Sequence, residues 1–225
     1  MNKYKLTEET SVVNGITLRR IKAIKDFGDV SEGDLGGYLE DESNLSQYGD
    51  AWVYGDAKVY GYAKVYGDAK VYGNAWVSGN AWVYGDAEVS GGAEVYCDAK
   101  VSGNAKVYSD AKVYGDAKVS GGAEVYGDAK VSGNAWVSGD AEVYGNAWVS
   151  GGAEVSGNAD YIIFKNWWSS GRYFTWTRSN NMWRVGCFYG TGDKLIEKAY
   201  KDSDISGREY ERAVRYVEEI LKDYK

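Results

Sequence analysis

The sequence predicts an all-β solenoid, a parallel β-helix of short strands with a small cap at each end. Three observations predict it. Valine recurs every six residues from Val53 to Val155, alanine recurs two residues before each valine, and glycine followed by Asp or Asn closes most units. A short period sustained over about 110 residues is typical of repeat architectures, in which each unit stacks on its neighbours.

The repeating unit reads Ala-x-Val-[Tyr/Ser]-Gly-[Asp/Asn], and Ala63 to Asp68 is one complete unit. Side chains alternate between the two sides of a strand, so Ala and Val face one way while x and Tyr or Ser face the other. The Ala/Val side is apolar in every unit and is predicted to form the interior. Glycine followed by Asp or Asn favours a turn, and a glycine in nearly every unit disfavours a helix.

This unit resembles the hexapeptide repeat of the bacterial transferase superfamily, whose members fold as left-handed parallel β-helices with three hexads per coil. The aliphatic residue, the small residue two positions before it and the Gly-[Asp/Asn] corner all match. The left-handed course is implied by this resemblance and not by the period. On that pattern 18 hexads give six coils, and a strand spacing of about 4.8 Å gives a rod of roughly 29 Å.

The segments on either side of the repeat are predicted to be caps, because the ends of a β-helix expose core and unpaired backbone. Residues 1–49 are predicted to form an N-terminal β cap. Asn14-Gly15 between β-rich runs favours a hairpin, with strand character continuing from Ile21 to Phe27. Residues 50–159 are predicted to form the β-helix.

Residues 160–225 are predicted to form a C-terminal β-then-α domain. Strands are predicted over 161–168, 172–178 and 182–189. A helix is then predicted from Thr191 to about Tyr200, and a longer one from about Ser206 to Tyr224, whose apolar residues follow helical spacing.

Composition limits the partners that the chain can have. The formal net charge of the 225 residues is −7, and residues 50–159 alone carry 8 basic and 14 acidic side chains. Such an acidic rod is predicted not to bind nucleic acid, because phosphate contacts need clustered Lys and Arg. No apolar run approaches the ~18 residues that span a bilayer, so no membrane partner is expected. Met1 to Lys5 carry no apolar signal core, which predicts a cytoplasmic location.

The chain contains no histidine, whereas the acyltransferases that its repeat resembles use one as general base. Those enzymes also usually carry a loop that interrupts the helix and builds the acyl-donor site, and the valine period here is uninterrupted. We therefore predict no catalytic residue and no cofactor. Cys97 and Cys187 are predicted to be free thiols, and without histidine or a cysteine cluster no metal site is predicted.

The outward positions carry many aromatic residues, and large exposed aromatic patches mark binding or oligomer surfaces. The competing explanation is that Trp and Tyr simply fit cross-strand ladders. A three-hexad coil would also place Ser102, Ser120, Ser138 and Ser156 in one smooth column that suits close packing of another chain. The predicted partner or oligomer surface comprises Trp52, Trp76, Trp82, Trp136 and Trp148 at position x, with Trp167, Trp168, Trp176 and Trp183 of the C-terminal domain.

The entry into the repeat, Gly33 to Tyr38, and the style of the caps are similar to uncharacterised hexapeptide-repeat proteins of phages and gut bacteria, some of them labelled polymer-forming cytoskeletal. The function predicted is a non-catalytic scaffold or binding protein that self-associates and presents an acidic, aromatic surface to a protein partner. A homo-oligomer is expected, with a trimer favoured over a dimer. The alternatives are a phage-encoded inhibitor of a host enzyme or defence system, and an acyltransferase-like enzyme with atypical chemistry.

Overall fold

A computed structural model describes residues 2–223 and contains a parallel β-solenoid of about seven turns between two caps. The N-terminal cap holds β1 (Tyr4–Val13), β2 (Ile16–Ala23) and β3 (Leu35–Leu39), followed by a 3₁₀ turn, Glu42–Asn44. The solenoid strands β4 to β21 are Trp52–Val53, Lys58–Val59, Lys64–Val65, Lys70–Val71, Trp76–Val77, Trp82–Val83, Glu88–Val89, Glu94–Val95, Lys100–Val101, Lys106–Val107, Lys112–Val113, Lys118–Val119, Glu124–Val125, Lys130–Val131, Trp136–Val137, Glu142–Val143, Trp148–Val149 and Glu154–Val155.

The three-hexad coil is confirmed, because each solenoid strand pairs in parallel with the strand 18 residues further on, as Lys58 does with Trp76. The stacked strands form three faces. Face one contains β3, β5, β8, β11, β14, β17 and β20; face two contains β4, β7, β10, β13, β16 and β19; face three contains β6, β9, β12, β15, β18 and β21. Leu39 and Leu45 pair with Val59 and Val65 and so begin a further turn ahead of the six coils of hexads.

The inward orientation of alanine and valine is confirmed. Every repeat Ala and Val from Ala51 to Val155 is at most 1% exposed. They form one continuous core with Tyr4, Ile21 and Leu39 of the N-terminal cap and with Tyr161 beyond the last coil. The cap and the solenoid therefore exclude water as one unit.

The corners turn through residues with positive φ, a conformation that glycine adopts without steric cost. The corner glycines from Gly55 to Gly151 have φ between 58° and 73°. Cys97 (φ 60°) and Ser109 (φ 62°) take the same position without being glycine. Both cysteines are free, as predicted, and both are exposed.

Backbone hydrogen bonds give the solenoid a polarity. The N–H of one coil donates to a carbonyl of the next, as from Lys58 to Ala75, so the first coil presents carbonyls and the last coil presents N–H groups. The N-terminal cap supplies side-chain donors to the first coil. Lys3 Nζ donates to the carbonyls of Gly49 (3.0 Å) and Ala51 (2.7 Å), and Asn44 Nδ2 donates to those of Gly61 (2.9 Å) and Ala63 (3.0 Å).

The C-terminal end receives the opposite chemistry, namely side-chain acceptors for backbone N–H groups. Glu142 N–H donates to Asn158 Oδ1 (2.8 Å), Trp148 N–H to Thr175 Oγ1 (2.9 Å), and Glu154 N–H to Ser179 Oγ (2.7 Å). At both ends, cap side chains of the matching hydrogen-bond sense therefore pair with backbone groups that no further coil would reach.

The C-terminal cap contains a 3₁₀ turn, Asn158–Asp160, an antiparallel sheet and two helices packed on it. Its strands are β22 (Tyr161–Lys165), β23 (Tyr173–Thr177), β24 (Met182–Val185) and β25 (Phe188–Gly190), and its helices are α1 (Gly192–Asp202) and α2 (Asp204–Asp223). Between residues 2 and 223, neither helix has the length and apolar character needed to cross a membrane.

Several predicted element bounds need correction. The strand predicted over 182–189 is two strands, because Gly186 at φ 55° reverses the chain between β24 and β25. The strand predicted to continue to Phe27 ends at Ala23, and the strands predicted over 161–168 and 172–178 are shorter. The hairpin at Asn14-Gly15 is confirmed by the pairing of Val13 with Ile16. The predicted helix end at Tyr224 lies outside the described residues.

Candidate binding surfaces

Three of the predicted surface tryptophans are buried, which corrects the prediction for them. Trp52 is 1% exposed because Tyr4 and Phe27 of the N-terminal cap pack edge-on against its indole. Trp176 and Trp183 are 2% and 1% exposed in the core of the C-terminal cap. These side chains stabilise the caps and offer no surface to a partner.

Three further tryptophans are partly covered by the caps. Trp76 packs with Val13, Leu18 and Tyr38 beneath the N-terminal hairpin. Trp148 lies under the guanidinium of Arg184, which is 3.7 Å from the centre of a Trp148 ring. Trp168 contacts Tyr210 edge-on at 4.9 Å within the C-terminal cap.

Trp82, Trp136 and Trp167 remain exposed. Trp167 is 73% exposed on the C-terminal cap, while Trp82 and Trp136 are 42% and 45% exposed on face three. Trp82 and Trp136 stand three coils apart in one column with Lys100 and Lys118 between them. This column, Trp82–Lys100–Lys118–Trp136, is called the Trp face below.

The edges of the Trp face are polar and differ in chemistry. Two shallow depressions border the column, one on each side. The first, of about 760 Å³, is lined by Asn80, Trp82, Asp98, Lys100, Asp116, Lys118 and Asn134; the second, of about 260 Å³, is lined by Tyr84, Lys100, Ser102, Lys118, Ser120 and Trp136. The second depression contains Ser102 and Ser120, two of the four serines that were predicted to form a smooth column, but also the larger Tyr84.

The exposed indoles are held in place by neighbours on adjacent coils. Trp136 Nε1 donates to Ser120 Oγ at 2.9 Å. The ammonium of Lys100 lies 5.1 Å from the centre of a Trp82 ring, a favourable cation–π distance. Holding an aromatic side chain in one orientation lowers the entropy lost when a partner binds it.

A diagonal contact across 16 residues recurs on the outside of the solenoid. It joins the Tyr or Ser after a valine to position x of the next coil, as in the hydrogen bond from Trp148 Nε1 to Ser132 Oγ and the edge-on packing of Trp82 on Tyr66. The prediction from single hexads did not include this diagonal. A search of the sequence for aromatic or acidic residues 16 positions after each Tyr or Ser would have found it.

Face two carries the same diagonal as a ladder of tyrosines and glutamates, called the Tyr–Glu face. Tyr72, Tyr108 and Tyr126 donate their hydroxyl hydrogens to Glu88 (2.7 Å), Glu124 (3.0 Å) and Glu142 (2.9 Å), and the rings of Tyr108, Tyr126 and Tyr144 stack. Burial, together with the bond to Glu124, raises the pKa of Tyr108 to about 12. The acidic and aromatic character of the rod is therefore strongest on this face.

Comparison with known proteins gives a consistent picture of the repeat. The family model described as YdcK beta solenoid repeat matches residues 69–85. This match and the three-hexad coil support the resemblance of the repeat to hexapeptide-type β-helices. A relative of this hexapeptide-repeat chain, named Uncharacterized acetyltransferase YdcK from Escherichia coli (strain K12), is 38% identical over 61 residues. That match covers 24% of this chain and 19% of the relative's length.

Proposed function

We propose that this chain is a non-catalytic binding protein that self-associates through the Trp face and presents the Tyr–Glu face to a protein partner. The observation that carries the proposal is the exposure of Trp82 and Trp136 at 42% and 45%, whereas cap residues cover Trp52, Trp76 and Trp148. Tryptophans held at the centre of a flat surface are frequent anchors of protein interfaces.

A second copy of the chain suits the Trp face for electrostatic reasons. Lys100 and Lys118 stand in the column, and Asp98 and Asp116 stand at its edge, at the same spacing of one coil. When two such faces meet with a sideways offset, lysines of one copy can oppose aspartates of the other, so the charges are compensated on burial. The resemblance to hexapeptide-repeat proteins favours a trimer over a dimer.

The Tyr–Glu face suits a basic protein partner. Its outward column holds Glu88, Glu124 and Glu142 against Lys70 and Lys106, with Asp68, Asp86 and Asp140 at the adjoining corners. Like charges grouped on one face attract an oppositely charged surface and speed its association. The stacked tyrosines supply apolar contact area within that acidic field.

The experiment is to compare the mass in solution of the wild type with that of the double variant Trp82→Ala/Trp136→Ala. The wild type is expected to exceed the 24.8 kDa of one chain at micromolar concentration, and the double variant is expected to approach it, because the anchors of the interface are lost. Sedimentation velocity or light scattering measures both masses.

Trp167→Ala is the matched control, since Trp167 is the most exposed tryptophan, at 73%, but lies on the C-terminal cap. It should leave the mass unchanged, and circular dichroism should give similar melting temperatures for all three proteins. A monomeric wild type, or a double variant that still associates, contradicts the proposal. Dissociation by Trp167→Ala would move the interface to the cap.

Acetyl transfer is the second candidate function, and the name of the relative from Escherichia coli favours it. Against it stand the absence of histidine and the uninterrupted run of hexads, which leave no ordinary general base beside a donor site. The direct test is release of free thiol from acetyl-CoA with sugar and amine acceptors. We expect no turnover above a heat-denatured control, and measured turnover would replace the binding-protein proposal.

A further inference from the structure

A cleft of about 620 Å³ lies where face one of the solenoid meets the sheet of the C-terminal cap. Its floor includes Trp148 on β20, and its walls come from both the rod and the strands β23 and β24. Its charged lining consists of Lys112, Lys130, Arg172 and Arg184 with Asp110 and Asp128. The cleft therefore has more cationic than acidic side chains, although the chain as a whole has a net charge of −7.

Three of the four cations have no carboxylate partner. Lys112 forms an ion pair with Glu94 at 2.7 Å, but within residues 2–223 no ion pair involves Lys130, Arg172 or Arg184. The Nε of Arg184 is buried and has no hydrogen-bond partner in the same part of the chain. A buried donor left in this way is costly unless something accepts its hydrogen bond.

Two of these cations are brought together on one indole. The guanidinium of Arg184 lies 3.7 Å, and the ammonium of Lys130 lies 5.3 Å, from the centre of a Trp148 ring. The ring quadrupole attracts each cation, but the two positive charges repel each other. An anion in the cleft would relieve that repulsion.

We propose that this cleft binds the phosphate group of a small phosphomonoester, held by Lys130, Arg172 and Arg184. A phosphomonoester carries a charge of about −1.5 to −2 at neutral pH and three terminal acceptor oxygens, which matches three cationic donors placed on three separate segments of the chain. A single carboxylate is planar and carries one charge, so it would leave part of the set unpaired. Trp148 and Tyr173 border the same cleft and can contact the organic part of the ligand.

This proposal is independent of the Trp face, which lies on a different side of the solenoid. The test uses the full chain and measures binding of inorganic phosphate, glycerol phosphate and succinate by calorimetry at constant ionic strength. Arg184→Gln and Lys130→Gln each remove one charge from the cleft while retaining most of the side-chain volume. Lys5→Gln on β1 of the N-terminal cap is the control, because it removes an exposed charge at the opposite end of the solenoid from the cleft.

Phosphate and glycerol phosphate are expected to bind the wild type and the Lys5→Gln protein equally. Arg184→Gln and Lys130→Gln should each weaken binding by about tenfold or more, the loss expected for a charge-assisted hydrogen bond, and succinate should bind more weakly than phosphate. Lys130→Gln keeps the test valid if loss of Arg184 disturbs the docking of the cap. Equal binding by the cleft variants, stronger binding of succinate, or an effect reproduced by sodium chloride would overturn the proposal.

Discussion

At the residue scale, the corner position of each hexad is selected by its backbone conformation. At each corner a positive φ is needed, and most L residues pay about 1–2 kcal/mol to adopt it. Cys97 and Ser109 occupy this position at φ 60° and 62°, although the hexads around them use glycine. The two exceptions are sites where the sequence departs from its own pattern without changing the fold.

We expect Cys97→Gly and Ser109→Gly each to raise the free energy of unfolding, by about 1 kcal/mol or less, because relief of left-handed strain exceeds the added freedom of the unfolded chain. Urea denaturation measures the change. A lower midpoint for both glycine variants would contradict this account of the corners.

The reverse substitution separates backbone strain from crowding between coils. A Cβ at Gly103 would lie 3.0 Å from the backbone nitrogen of Gly121, whereas a Cβ at Gly145 would meet nothing within 4 Å. Both residues have positive φ. Gly103→Ala should therefore be more destabilising than Gly145→Ala, and equal losses would show that strain alone matters.

At the scale of elements, the strand pattern of the solenoid could be predicted from the sequence, but the outward residues that the caps cover could not. The period of six fixes which side chains face inward, because every Ala and Val obeys it. Trp52 and Trp82 occupy equivalent positions in their hexads, yet one is 1% and the other 42% exposed. The difference arises from Tyr4 and Phe27, distant in sequence, which pack on Trp52.

The cationic cleft was missed for the same reason. Lys130 and Trp148 are neighbours in one column and are 18 residues apart, so the repeat alone could have paired them. Arg184 reaches the cleft only through the docking of the C-terminal sheet on the last coil. No period links the cap to the rod, and docking depends on contacts such as the hydrogen bond from Trp148 N–H to Thr175 Oγ1.

The hydrogen bond from Trp148 N–H to Thr175 Oγ1 allows a test of what stabilises the junction between the last coil and the C-terminal cap. Thr175 is 1% exposed, so replacing its hydroxyl with a methyl group in Thr175→Val would leave the partly buried Trp148 N–H without this acceptor. We expect a loss of about 1–3 kcal/mol in the free energy of unfolding. Thr175→Ser keeps the acceptor and should lose less. Equal losses in the two variants would show that the methyl group of Thr175, and not its oxygen, stabilises the junction.

For the whole molecule, the opposed chemistry of the caps limits the ways in which it can assemble. Lys3 and Asn44 occupy carbonyls of the first coil, and Asn158, Thr175 and Ser179 occupy N–H groups of the last. Growth by stacking one solenoid end-to-end on another would require these bonds to break. Self-association is therefore expected through a side face, as proposed for the Trp face.

The tyrosines of the solenoid and the first strand of the C-terminal cap predict the response of the molecule to alkaline pH. Burial raises the pKa of Tyr96, Tyr108 and Tyr161 to about 12, against an ordinary value near 10. The unfolded chain therefore loses these protons first. Their contribution to stability is complete below about pH 10 and is lost as pH rises toward 12.

Lys3 has the opposite effect on the pH dependence of stability, and it acts at lower pH than the tyrosines. Burial lowers its pKa to about 8, so the folded state releases a proton before the unfolded state does. The cost of keeping Lys3 charged inside the cap is fully present below about pH 8 and declines as pH rises to about 10.5. In Lys3→Met, this rise in stability between pH 8 and 10 should disappear, although the variant will be less stable because it no longer donates to Gly49 and Ala51.

We therefore predict that stability falls steeply above pH 10, with the tyrosines ionising as the chain unfolds. Absorbance of tyrosinate and circular dichroism are followed together from pH 7 to 12.5, and the tyrosinate absorbance contributed by the buried phenols should appear together with the loss of circular dichroism above pH 10. Tyr161→Phe removes one buried phenol and should make the stability less dependent on pH between 10 and 12, because one fewer proton is released on unfolding. Tyr48, 86% exposed, provides the control, since Tyr48→Phe should leave that dependence unchanged. Tyrosinate absorbance that develops fully near pH 10 while the circular dichroism of the fold persists would show that the ladder does not shield its phenols.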